Sequence, residues 1–131
     1  MSLRFRTLAL SACLAWPLLV QAAPTTVQGI RFDDPIELQG RTLSLNGAGA
    51  RYKAVFKVYA MGLYLEHKAS SPEDVLAAPG AKRISITMLR EIDSNELGKL
   101  FSRAMEDNMD KAAFSKLVPG VMRMSQIFFD H

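Results

Sequence analysis

The stretch from Asn46 to Glu66, N-G-A-G-A-R-Y-K-A-V-F-K-V-Y-A-M-G-L-Y-L-E, constrains the fold of this chain more than any other, because it is the one long β-forming segment. From Val55 onward, Val55, Tyr59, Met61, Leu63 and Leu65 share one parity, and Phe56, Val58, Ala60, Gly62 and Tyr64 share the other. Apart from Lys57, both faces are apolar. A strand of that kind is covered on both sides, so the chain must supply a sheet and layers to bury it. The small residues Gly47, Ala48 and Gly49 stand just before Arg51 and let a backbone or a ligand approach the guanidinium. Arg51 is therefore the first candidate site residue.

The N-terminus reads as an export signal. Arg4 and Arg6 form a short positive region, Thr7 to Val20 is an apolar run broken only by Ser11 and Pro17, and Val20-Gln21-Ala22 before Ala23 is a small-residue cleavage site. The expected division is a signal at 1–22, cleaved between Ala22 and Ala23, and one domain at 23–131 in a bacterial periplasm, with no stable membrane anchor once the signal is gone. Cleavage removes Cys13, the only cysteine, which excludes disulfides and thiol chemistry. The whole chain carries 16 Lys and Arg against 13 Asp and Glu. Two of those cations, Arg4 and Arg6, leave with the signal, so the remainder is nearly neutral. Its basic residues are scattered, which argues against a nucleic-acid partner.

Within the domain, Thr25 to Phe32 and Ile36 to Leu38 read as short strands separated by the turn Asp33-Asp34-Pro35. Thr42 to Leu45 points Leu43 and Leu45 into the core. Ser71 caps a short helix with Pro72 in its first turn, ending near Ala78. Lys82 to Arg90 alternates, with Ile84, Ile86 and Met88 on the apolar face and Arg83, Ser85 and Thr87 on the wetter one. Asp93-Ser94-Asn95-Glu96 opens the strongest helix, whose Leu97, Leu100, Phe101, Ala104 and Met105 recur at helical spacing and pack on the sheet. Pro119 predicts a new helix or a kink in the last segment rather than one rod.

Two of these runs resemble a known family. G-A-G-A-R followed by F-K-V-Y-A-M-G-L-Y-L-E is similar to the signature of the chalcone isomerase superfamily, and L-R-E-I-D-S-N-E-L, Leu89 to Leu97, resembles its strand end and helix start. The superfamily includes plant flavonoid-forming isomerases, fatty-acid-binding proteins and exported bacterial homologues. The resemblance implies an α+β fold, a largely antiparallel twisted sheet covered by helices. The family continues beyond the position of His131, so the expected domain is partial, with an open sheet edge to which a protein partner can pair. In the fatty-acid-binding branch an Arg and a Tyr at the positions of Arg51 and Tyr59 hold the ligand carboxylate. In the plant enzymes Thr usually stands at the position of Tyr59, and an active-site Tyr at that of Leu97.

The chemistry of a carboxylate clamp is sound: a guanidinium offers a planar fork, and a phenol adds a donor while its ring covers apolar tail. Geometry sets a condition. Were residues 51 to 59 one unbroken strand, eight steps would separate the two side chains by roughly 26 Å. The pair works only if the chain reverses at Tyr52-Lys53-Ala54, which has no Gly, Pro, Asn or Asp to favour a turn. The alternative is that Arg51 pairs with an acid such as Glu91 and Tyr59 is ordinary core. Arg90, at the end of its strand, is a weaker ligand candidate, with Glu91, Asp93 and Glu96 near enough to pair with it. His67 and His131 are not at metal-binding spacing, and no cofactor motif stands out. Three functions remain open: noncatalytic binding of a fatty-acid-like amphipathic carboxylate, an intramolecular lyase of the chalcone isomerase type, and an envelope accessory protein that binds another protein through its sheet edge.

Overall fold

The computed structural model describes residues 23–130, so the expected signal at 1–22, with Ala22 at its cleavage site, and the terminal His131 lie outside the described residues. Six strands and three helices follow in order: β1 Thr25–Val27, β2 Ile30–Phe32, β3 Ile36–Leu38, β4 Arg41–Lys53, β5 Phe56–Leu65, α1 Pro72–Ala77, β6 Lys82–Met88, α2 Ser94–Asp107 and α3 Lys111–Phe129. The fold is α+β, as the sequence implies. Strands β3-β4-β5-β6 form an antiparallel sheet, with a β1-β2 ribbon beside it.

The central stretch is not one strand but two. β4 and β5 are arms of a hairpin, paired from Ser44↔Leu65 to Lys53↔Phe56, and the reversal falls at Ala54-Val55 rather than at Tyr52-Lys53-Ala54. Ala54 takes a left-handed conformation with φ of 53°, a state that strains a residue carrying a Cβ. A similar reversal splits the expected strand Thr25 to Phe32: Gln28 and Gly29, with φ of 51° and 81°, turn the chain between β1 and β2.

Two irregularities in the β4-β5 ladder decide which side chains face which way. The register passes from Leu45↔Tyr64 to Gly47↔Leu63, so Asn46 is one extra residue on β4, and its side chain accepts the Ala69 N–H at 2.7 Å. Before this bulge Leu43 and Leu45 point into the core; after it Ala48 packs on the core, while Gly47, Gly49 and Arg51 turn to the opposite face. A second shift, between Arg51↔Tyr59 and Tyr52↔Lys57, leaves Val58 as the extra residue on β5.

The core lies on one face of the sheet. Phe32, Leu43, Leu45, Ala60 and Tyr64 are buried there, with Val27, Ile30, Ile36 and Leu38 packed around them. Gly62 is required at its centre, because a Cβ on it would stand 2.7 Å from the Phe32 ring and 3.2 Å from Leu45. Burial raises the Tyr64 phenol above its ordinary pKa, and the charge of Asp33 adds to the effect.

β6 differs from its reading in the sequence. It ends at Met88, and Arg83, Ser85 and Thr87 pair with Tyr64, Gly62 and Ala60 on the core side, while Ile84, Ile86 and Met88 lie on the other face with Leu63, Met61 and Tyr59. Ile84 is 61% exposed. The apolar parity is thus the open one, because Phe32 and Leu45 already fill the core face over Gly62, where β6 sets the small Ser85 and Thr87 while Arg83 stays exposed.

The Asp93 carboxylate caps α2 by accepting from the N–H groups of Asn95 and Glu96. Helix α3 runs from Lys111 to Phe129 with Pro119 inside it, so of the two expected outcomes no new helix starts there. A proline removes one helical hydrogen bond, and here packing against α2 holds the helix together: Gly98 is buried where a Cβ would stand 3.1 Å from Ser125. Glu66 ties the far end of the sheet, accepting from Ala81 N at 2.8 Å and from Arg41 Nη1 at 2.7 Å. The backbone N–H holds its carboxyl below the ordinary value, and the Arg41 guanidinium adds to the effect.

Candidate functional site

The hairpin meets the condition set by the sequence. Arg51 and Tyr59 are direct cross-strand partners, a placement that brings backbones within about 5.5 Å and sends both side chains to one face. That face is the one turned toward α2. The Tyr59 ring stacks on Phe101 with centroids 6.4 Å apart, and Phe101 stacks on Phe128 of α3 at 5.4 Å. The helices reach the sheet through this aromatic column, at the Arg51 end. On the same face Met88, beside Tyr59, and Met61 and Ile84 farther along stay exposed.

Three spaces meet at Arg51. A cavity of about 450 Å³ lies toward the start of α2, lined among others by Lys53, Val58, Arg90, Glu91, Asp93 and Glu96. A narrow cleft of about 50 Å³ runs beneath α2 between Val58, Tyr59, Leu97, Leu100 and Phe101. An open groove of about 360 Å³ crosses Gly49, Ala50, Tyr59 and Met61. The first is of a size suited to small ligands. The cleft holds only a few water-sized volumes and is too small for an alkyl tail. The groove has room for one, since neither Gly47 nor Gly49 has any heavy atom within 4 Å of where a Cβ would stand.

Arg51 itself is exposed, so its charge is hydrated and does not demand a buried counter-ion. The ion pairs of the described residues are Arg31–Asp33, Arg41–Glu66 and Lys53–Glu96, and Arg51 takes part in none. Glu91, the acid of the alternative reading, lines the same cavity but forms no ion pair with Arg51. Arg90 sits past the end of β6 in a bend, also outside these ion pairs, with its guanidinium 4.8 Å from the centre of the Phe56 ring. Both arginines therefore flank one cavity, and neither is in an ion pair among the described residues. Leu97 lines the cleft beside Arg51 and Tyr59, where it offers no hydrogen-bond donor. No cluster of three or more His, Cys, Asp or Glu side chains fit for a metal occurs among the described residues. The sheet ends at β3 and β6, so its edge strands are the three-residue β3 and the seven-residue β6.

Residues 24–131 match the chalcone isomerase-like family. The match covers most of the chain, which belongs to that family. Comparison with curated proteins and with solved structures gives no match.

Proposed function

We propose that this chalcone isomerase-like protein is an exported, noncatalytic binder of an amphipathic carboxylate of the fatty-acid kind. The observation that carries the reading is the cross-strand pair: Arg51 and Tyr59 lie side by side on one face, at the mouth of an open apolar groove, and Arg51 takes part in no ion pair among the described residues. The carboxylate meets the Arg51 fork and the Tyr59 hydroxyl, with Arg90 adding positive charge across the cavity. The tail follows the groove over Gly49 and Met61. A lyase needs donors aimed at the developing enolate. Leu97 supplies none, which supports binding over turnover.

Titration with a long-chain fatty acid and with its methyl ester tests the proposal, because the ester keeps the tail and loses the anion. The acid binds the unchanged protein more tightly than the ester. Arg51→Lys weakens acid binding despite keeping the charge, and Tyr59→Phe weakens it less, by about 0.5 to 1.5 kcal/mol. Equal affinity for acid and ester would remove Arg51 as the anchor. A protein-dependent loss of chalcone absorbance, abolished by Arg51→Ala, would favour the lyase instead. The export part of the reading expects a mature chain that starts at Ala23, which N-terminal sequencing of secreted protein reads directly; an intact Met1 would overturn it.

A further inference from the structure

We propose that the tip of the β4-β5 hairpin is a contact for a membrane surface rich in anionic phospholipid. The tip presents apolar side chains to water that a folded domain ordinarily hides: Val55 is 83% exposed, Phe56 56% and Tyr52 48%. Around them stand Lys53, Lys57 and Arg90, all exposed, and Arg51-Tyr52-Lys53-Ala54-Val55-Phe56-Lys57 contains no acid. Apolar apex, aromatic shoulders and flanking cations match the order of a bilayer interface, where apolar groups enter the acyl boundary, aromatic rings sit at headgroup depth and Lys or Arg meets phosphate.

The tip is built to hold this arrangement. Gln28 Nε2 donates to the Tyr52 hydroxyl at 2.7 Å, fixing one shoulder against the β1-β2 turn. On the other side the Arg90 guanidinium covers the Phe56 ring at 4.8 Å. The nearby acids Glu91, Asp93 and Glu96 line the cavity on one side of the tip, together with Tyr52 and Lys53. Asp93 is occupied in capping α2. Glu96 reaches Lys53 only at 3.8 Å between exposed groups, a pairing too weak to cancel the charge. Shape favours a bilayer over a protein partner. A convex hairpin end with three exposed apolar side chains falls far short of the roughly 800 Å² per partner of a stable protein interface, whereas a fluid headgroup layer needs no complementary pocket. The contact is shallow and reversible, and it places the cavity mouth beside the lipid.

This inference does not rest on the carboxylate reading, and phospholipid vesicles without free carboxylic acid test it separately. The full chain is incubated with vesicles of equal parts phosphatidylglycerol and phosphatidylcholine, and with pure phosphatidylcholine, then separated by flotation. The N-terminal apolar segment is common to every variant, so differences among variants report the tip. Val55→Asp combined with Phe56→Ser reduces flotation with the anionic vesicles by about tenfold or more, and Lys53→Gln and Lys57→Gln each reduce it by about fivefold. All these side chains are exposed, and unchanged thermal melts confirm that the variants fold. In a second measurement Val55→Trp in a Trp16→Phe background places the sole indole at the apex, and its emission shifts to the blue with anionic vesicles only. Equal binding to both vesicle types, unaltered flotation of the tip variants, or an unshifted Val55→Trp emission would each overturn the proposal. Retention on an immobilised acidic polypeptide without any vesicle binding would overturn it in favour of a protein partner.

Discussion

Gly49 separates folding from binding in a way few positions do. It faces the open groove between Arg51 and Met61, its φ is ordinary, and nothing lies within 4 Å of a Cβ built on it. A Cβ at this position therefore meets no clash, and Gly49→Val is expected to project its two methyls into the open groove. Valine suits a strand better than glycine, so stability stays level or rises by about 0.5 to 1 kcal/mol. The added side chain fills the groove along which the tail is proposed to run. Excluding about two methylenes from contact, at about 0.8 kcal/mol each, removes about 1.6 kcal/mol of binding. That is slightly more than tenfold in the dissociation constant. Calorimetric titration of the unchanged protein and Gly49→Val with a long-chain fatty acid, beside thermal melts of both, reads the two effects independently. Unchanged affinity with an intact melt would place the tail elsewhere and refute the groove. A lowered melting temperature would refute the claim that the space above Gly49 is free.

Gly62 is the opposite case: Gly62→Ala drives a methyl into the Phe32 ring and lowers stability by about 1 to 3 kcal/mol, measured as a fall in the urea midpoint. An unmoved midpoint would show that the ring yields freely. The Glu66 carboxyl titrates below its ordinary value of 4.5 in the folded protein. Its contribution is thus complete above that value and is lost as pH falls through the lower folded one. Urea melts between about pH 6 and pH 3 should show a shallower acid loss for Glu66→Gln than for the unchanged protein, and parallel losses would contradict the assignment.

Much of the architecture is readable from residues. Ser71 and Asp93 cap helices where their types and spacing place them, because a side-chain acceptor at an N-cap is a local interaction. The β4-β5 reversal is harder, since Ala54-Val55 contains no turn-forming residue. The hairpin forms because pairing along nine positions outweighs the strain at Ala54. The faces of β6 are misread for a nonlocal reason: alternation shows that two faces differ, but only the position of Phe32 over Gly62 decides which is closed. Pro119 shows the same limit, as the Gly98 contact with Ser125 joins residues far apart in sequence. At the site, the Arg51 and Tyr59 partnership was conditional on a reversal that no local signal announced. The cavity shared with Arg90 depends on how β6 and α2 approach the hairpin, which spacing alone does not give.

The extra residue at Asn46 acts as a phase shift within a single strand. Leu43, Leu45 and Arg51 all have odd numbers, and on an uninterrupted strand they would share one side, with the guanidinium among the leucines. One added residue lets the same strand obey two periodic codes in succession, the first written for the interior and the second for the solvent. Removing or adding a single residue between Leu45 and Gly47 is thus not a small edit. It exchanges inside for outside along the rest of β4, sending Ala48 and Ala50 out and carrying Arg51 into the core.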